Sequence, residues 1–141
     1  MADSKSMTIS GVTQAVAASA LRAQQARMRI IAENLANANS TSRTAGGNPY
    51  RRQVPVFQPT TVAGANGVSM ARVAADPSQF RSAYEPGNPA ADAQGYVKEP
   101  NVDPLIEALD MKEAQRAYEA NMNVIETSRA MDSRTLDLLK K

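Results

Sequence analysis

The chain has no cysteine, no histidine and no tryptophan in its 141 residues. The first two absences exclude disulfides, thiol chemistry and the usual zinc ligand sets. They also exclude nucleophilic triads that depend on an imidazole. Oxygen-only metal sites and carboxylate chemistry survive as formal options, but no acidic pair sits in a recognisable cleft motif. We therefore expect no catalytic residue, no cofactor and no metal site. No charged segment followed by a continuous apolar run opens the sequence, so a cleaved signal peptide is not expected. No stretch approaches 18 apolar residues, so no direct membrane insertion by a helix is expected.

Glycine and proline are scarce at both ends and crowded between them. Six of seven Gly and seven of eight Pro lie between Ser40 and Pro104. Charge is uneven in the same way. Residues 1–53 carry a net +5, residues 54–103 a net −2 and residues 104–141 a net −1. A solvated helix face accounts for the basic part. Charge complementarity between the two ends, within or between chains, accounts for it equally.

The longest uninterrupted stretch is Pro104 to Leu139, which reads as one helix. Pro104 suits the first helical turn, where its missing N–H is no loss, and Asp103 before it can cap the free amides. A helix of that length spans about 54 Å. Along it runs a seam at alternating spacings of three and four: Ala114, Ala117, Asn121, Val124, Ser128, Met131, Thr135, Leu138. Tyr118, Met122, Ile125, Leu136 and Leu139 flank it. A seam with this period suits helix-on-helix packing along its whole length. Asn121, Ser128 and Thr135 share one heptad position, where a buried polar residue fixes register at some cost in stability; facing a polar channel is the alternative.

At the other end, Gly11 to Ala38 contains no proline and is rich in alanine, which favours a helix. Ser10 is its expected cap. Leu21, Met28 and Leu35 repeat every seven residues, with Ala17, Gln24, Ile31 and Ala38 as a companion row and Val16 beside them. The helix is expected to stop in Asn34-Leu35-Ala36-Asn37-Ala38-Asn39-Ser40, since Asn tolerates left-handed backbone and bonds locally. The same Asn run could satisfy backbone at a packed joint.

The middle section differs in kind. Tyr50–Phe57 has strand composition, with Pro55 confining it to a sheet edge. Asn66-Gly67 is a turn signal, and Val68–Ala74 alternates weakly. A β-hairpin from about Tyr50 to Ala74 is expected. From Ala75 to Pro104 the chain is broken repeatedly by Pro and Gly and reads as an extended loop. Five of six aromatic residues lie in this middle part: Tyr50, Phe57, Phe80, Tyr84 and Tyr96. Apolar anchors spaced along an extended chain suggest a strap pressed onto a surface.

The expected fold is mostly α with a small β part: two long terminal helices packed as a coiled-coil-like pair, with a β-hairpin and a long extended loop between them. The organisation is residues 1–40 as the N-terminal helix of a core domain, 41–103 as the hairpin-and-loop insertion and 104–141 as the C-terminal helix. Neither helix is expected to find enough partner surface in its own chain, which argues for a polymerising subunit. The side chains expected at its assembly interface are Val16, Leu21, Met28, Ile31, Leu35 and Asn37 from the first helix. The middle part adds Tyr50, Arg51, Arg52, Phe80, Tyr84 and Tyr96. The last helix adds Ala117, Tyr118, Asn121, Val124, Ile125, Ser128, Met131 and Leu138. Arg22, Arg27 and Arg29 are expected to pair with Glu119, Glu126 and Asp132 of neighbouring copies. Glu113–Arg116, Glu126–Arg129 and Asp137–Lys141 have the spacing of pairs on one helix face. Isolated chains are expected to be partly unordered at both ends and to order on assembly.

Several motifs resemble one family. Asn34-Leu35-Ala36-Asn37-Ala38-Asn39 resembles the motif shared by bacterial flagellar rod and hook proteins. Pro49-Tyr50-Arg51-Arg52-Gln53, Asp76-Pro77-Ser78 and Tyr84-Glu85-Pro86-Gly87-Asn88-Pro89-Ala90-Ala91-Asp92 resemble the FlgC family of proximal rod proteins. So do Gly95-Tyr96-Val97, Pro100-Asn101-Val102 and Arg116-Ala117-Tyr118-Glu119-Ala120-Asn121. Asn88 departs from the His expected in that turn, and 60–68 matches no motif. The resemblance implies a structural subunit of the flagellar basal-body proximal rod, a drive shaft that crosses the periplasm. It implies export through the type III apparatus without a cleaved signal. It also implies self, other rod subunits, the hook-basal-body adaptor and the membrane-supramembrane ring as partners. Three readings compete with it. A wall hydrolase would need a carboxylate pair. A nucleic-acid module rests on the basic first helix alone, with no recognition motif. A cytosolic helical adaptor leaves the anchored strap unexplained.

Overall fold

The computed structural model describes residues 8–140. The chain forms α1 (Ile9–Ala36), β1 (Gln53–Val62), β2 (Ala65–Ala75), β3 (Arg81–Tyr84), β4 (Tyr96–Glu99) and α2 (Pro104–Leu139). The two terminal helices pack on each other, and the β part lies between them in sequence.

α2 occupies the span expected of it. Asp103 Oδ1 accepts the Leu105 amide at 3.0 Å, and Pro104 opens the helix. α1 starts two residues earlier than expected. Thr8, not Ser10, is its cap, with Oγ1 accepting the Gly11 amide at 3.0 Å. Ser10 instead turns toward α2. At the other end Asn37 holds the last turn, its Nδ2 donating to the Glu33 carbonyl at 2.9 Å.

The helices run antiparallel. Ser10 meets Ser128 and Asp132 at one end, Arg27 meets Asp110 and Glu113 further along, and Asn34 meets Glu107 at the other end. α1 packs on both α2 and the β1–β2 hairpin. Flanked on both sides, α1 buries Ala17, Ala23, Ile30 and Ile31. The first helix thus finds part of its cover within the chain, while Val16, Leu21, Met28 and Leu35 stay half-buried and Ile9 is exposed. On α2, Val124, Met131, Leu136, Leu138 and Leu139 stay exposed, Met131 by 63% and Leu138 by 73%.

The β1–β2 hairpin is antiparallel from Gln53↔Ala75 to Val62↔Ala65, with a bulge at Val56/Phe57. Pro55 is tolerated because both strands of a two-stranded ladder are edges. The turn is not at Asn66-Gly67. It is Ala63-Gly64, with φ of 51° and 80°, the positive pair that a two-residue hairpin loop requires. Asn66 and Gly67 lie within β2, opposite Thr61 and Thr60. Gly67 serves close approach: a Cβ there would stand 2.6 Å from Val62 Cγ2 and 2.8 Å from Ser19 Oγ.

The segment after Ala75 is not an unstructured loop. β3 and β4 pair antiparallel from Arg81↔Glu99 to Tyr84↔Tyr96. The connection between them is held by its own side chains. Asp92 Oδ1 accepts the Gln94 and Tyr96 amides, each at 2.9 Å, and Asn88 Oδ1 accepts the Ala90 amide at 2.9 Å. Ala90, Val97, Pro100 and Val102 are buried, so the strap has small apolar anchors as well as aromatic ones.

Candidate assembly interface

Where α1 ends and α2 begins, α2 and the residue after β2 converge on one guanidinium. Arg52 Nε donates to Glu107 Oε1, its Nη1 reaches Asp76 Oδ2 at 3.2 Å, and its Nη2 lies 3.6 Å from Asp110 Oδ2. Glu107 is fully buried. An isolated carboxylate there would cost several kcal/mol, so the pairing sets where the strap must lie. Asn34, also buried, joins the same cluster. Its Nδ2 donates to the Gln53 carbonyl at 2.9 Å and to Glu107 Oε2 at 3.4 Å. Its Oδ1 accepts from Tyr50 Oη at 2.7 Å and from the Gln53 amide at 2.9 Å. Asn101 Oδ1 accepts the Arg52 amide at 2.7 Å. The Asn run is therefore both the helix stop and the packed joint.

The charges at this joint are tuned by their neighbours. Burial works against the Arg52 cation, but Glu107 and Asp76 outweigh it and hold its pKa above the ordinary value. The Ser78 amide, with Arg52 behind it, holds the Asp76 carboxyl below its ordinary value. Burial, assisted by the carboxylates of Glu33 and Glu107, raises the Tyr50 phenol. Three carboxylates here share the Arg52 guanidinium, and Asp110 also lies within 4.0 Å of Arg27. Among the described residues no group of three or more metal-ligating side chains is placed to hold an ion.

Arg51 works beside this joint. Its Nη1 donates to the carbonyls of Asp76 and Ser78, both at 2.8 Å, and its guanidinium lies 4.1 Å from the Phe80 ring centre. Further out, Tyr84 and Tyr96 form an edge-to-face pair at 5.3 Å, both largely exposed.

The far end of the helix pair is joined by small polar groups. Ser10 Oγ lies 2.6 Å from Ser128 Oγ and donates to Asp132 Oδ2 at 2.8 Å; Gln14 Nε2 reaches both residues at 3.3 Å. Beyond them a groove of about 540 Å³ opens, lined by Ile9, Thr13, Val124, Met131 and Thr135 among others.

The residues expected at an assembly interface thus fall into four groups. Ile31 is buried inside the single chain, and Ser128 is buried against Ser10. Val16, Leu21, Met28, Leu35, Asn37, Ala117, Tyr118, Asn121 and Ile125 are half-buried along the helix pair. Tyr50, Arg51 and Arg52 are engaged in the joint. Val124, Met131, Leu138, Tyr84 and Tyr96 are exposed. The shared heptad position divides too. Only Ser128 bonds across the helices, whereas Asn121 and Thr135 donate to carbonyls four residues back in their own helix, at 2.8 and 3.0 Å. Arg27 pairs within the chain, with Glu113 at 3.5 Å and Asp110 at 4.0 Å, so it and Glu113 are taken from their expected partners. The Asp137–Lys141 pair lies outside the described residues.

Sequence reasoning missed Glu107 and Asp110, and it placed Asp76 and Asn101 in family motifs without assigning them to this joint. One signal for Glu107 was present: it stands seven residues before Ala114, so the seam extends one heptad toward the helix start with a carboxylate in it.

Two families match the ends of the chain: the flagella basal body rod protein family at residues 15–43 and the flagellar basal body rod FlgEFG protein C-terminal family at 93–138. Curated relatives match nearly the whole chain. The flagellar basal-body rod protein FlgC of Agrobacterium fabrum is 46% identical over 127 residues, 89% of this chain and 91% of its own length. That of Escherichia coli O6:H1 is 45% identical, over 87% and 92% of the two chains. That of Bacillus subtilis is 36% identical, over 89% and 95%. With the paired terminal helices and the strap motifs in place, the chain belongs to the FlgC family and is a structural subunit of the flagellar basal-body rod.

Proposed function

We propose that this subunit transmits torque by packing the uncovered side of α2 against neighbouring rod chains. The supporting observation is the imbalance between its two helices. α1 is flanked by α2 and the hairpin, whereas Val124, Met131, Leu136, Leu138 and Leu139 of α2 face outward. Burying such a side chain contributes about 1.5–3 kcal/mol. Several per copy, repeated around a shaft, resist shear without covalent links, after the ordering cost is met. Copies of itself and other rod subunits are the partners of this edge. The hook-basal-body adaptor, the membrane-supramembrane ring and the type III export apparatus are the further partners in this reading. Residues 1–40 and 104–141 build the shaft-forming part, and 41–103 form its lateral lock. The role is structural and calls for no catalysis.

The test is complementation of a strain lacking this gene with a Met131→Asp/Leu138→Asp chain. Swimming is expected to be lost while the protein is still made and exported. A swimming halo of normal size would rule the edge out as the assembly surface.

A further inference from the structure

One cleft in the middle section carries two cations and no acid. It has a volume of about 340 Å³ and lies where Asn48 and Arg51 pass the Pro77–Ser82 segment and Lys98 of β4. Arg51 presents its guanidinium there over the Phe80 ring. Its Nη1 is committed to two carbonyls, while among the described residues Nε and Nη2 make no hydrogen bond. Lys98 is exposed, and its Nζ has only Asn48 Oδ1, at 3.3 Å. Asp76 does not neutralise the cleft, because its carboxylate is turned to Arg52 and to the Ser78 amide. The cleft thus offers two positive charges beside an aromatic ring and Pro77.

The opposite end of the same β3–β4 hairpin carries the complement. Glu85 is exposed, between an exposed Pro86 and a Tyr84 that is 65% exposed. Its Oε2 accepts from Asn88 Nδ2 at 2.9 Å, and among the described residues it forms no salt bridge. An acid flanked by an aromatic ring and a proline matches a pair of cations flanked by the same. One copy cannot satisfy both, since the two sites stand about 10 Å apart along a strand. Two copies can, and the contact is then head-to-tail. Such heterologous contacts propagate into rings or helices.

We propose that Glu85 at the hairpin tip of one copy seats between Arg51 and Lys98 of the next copy. This rests on the assembly reading above and adds to it a specific lateral contact between like subunits.

Charge reversal tests it. Glu85→Lys and Lys98→Glu each alter an exposed side chain, so each chain is expected to fold with unchanged circular dichroism. Each is expected to cause loss of swimming in the complemented strain, and the double exchange is expected to restore it. Normal swimming of either single variant, or a double variant no better than the singles, would overturn the proposal. The missing cysteines allow a direct check. A Glu85→Cys/Lys98→Cys chain in isolated basal bodies should oxidise to a ladder of covalent multimers, and each single-cysteine chain should not. Intact basal bodies that yield only monomer would sink this contact and leave the assembly reading standing. Absence of the wild-type chain from basal bodies would sink both. Should the double-cysteine chain not assemble, the charge-reversal set decides alone.

Discussion

The two ends of the helix pair solve opposite problems. At the Asn34–Glu107 end, a buried carboxylate, a guanidinium and a buried amide tie α1, α2 and the strap together. At the Ser10–Ser128 end, two hydroxyls and an aspartate join the helices, and the apolar side chains beyond them point outward. The first end holds the chain's own shape. The second leaves apolar surface uncovered, as does the outer side of α2 near the first end, where Leu105, Ile106 and Leu109 are exposed. In the proposed assembly, stability and adhesion are carried by different residues, and each can be altered while the other is watched.

The comparison breaks most visibly at Arg52. Arg52→Ala strands Glu107 as an unpaired buried charge, and such losses cost about 3–5 kcal/mol. Urea unfolding of the purified chain should show a shift of that order, and a shift under 1 kcal/mol would mean the joint does not hold the fold. Acid provides a second lever on the same end. The Asp76 pKa lies below its unfolded value, so Asp76 stabilises the fold above about pH 3.8 and ceases to as pH falls through its folded value. The melting-temperature gap between wild type and Asp76→Asn should therefore narrow from pH 6 to pH 2; a gap that widens toward acid would contradict the assignment. Away from both ends, Ala63 holds positive φ without a glycine. Ala63→Gly relieves that strain and loosens the unfolded chain, for a net gain of about 0.5–1 kcal/mol. At the adhesive end the smallest effect on folding is expected. Met131→Asp/Leu138→Asp, which abolishes swimming in the proposed mechanism, should change folding stability by less than about 0.5 kcal/mol, as exposed substitutions do.

Much of this architecture was legible in the residues. α2 had its start written into it, because Asp103-Pro104 is a start signal, and its continuity, because no Gly or Pro follows to break it. α1 was legible in extent, but two neighbouring hydroxyl residues, Thr8 and Ser10, offered the same capping chemistry, and only the partner helix decides between them. The hairpin was visible as composition. Its turn was misplaced because Gly67 carries a turn signal while serving close packing on Ser19, and Ala63 gives no hint of positive φ. β3 and β4 were hidden because four-residue strands between prolines have too few positions to show alternation. The joint was hidden for a different reason. A buried Glu inside an apolar seam looks like a break in the seam, and its partner Arg52 lies more than fifty residues away. The intrachain use of Arg27 escaped charge counting because acids lay on both candidate neighbours.

The helix pair mixes alanines such as Ala17, Ala114 and Ala117 with larger apolar side chains such as Leu21, Met28 and Ile125. Apolar burial is non-directional and does not by itself fix one axial setting of the two helices. What fixes it is that the pair is pinned at both extremities. Displacement by one turn, about 5.4 Å, would strand Glu107 at one pin and the facing hydroxyls at the other. The two helices therefore keep one axial setting, in the manner of a telescoping tube locked by two detents, and in the proposed assembly every copy brings that same setting to the shaft.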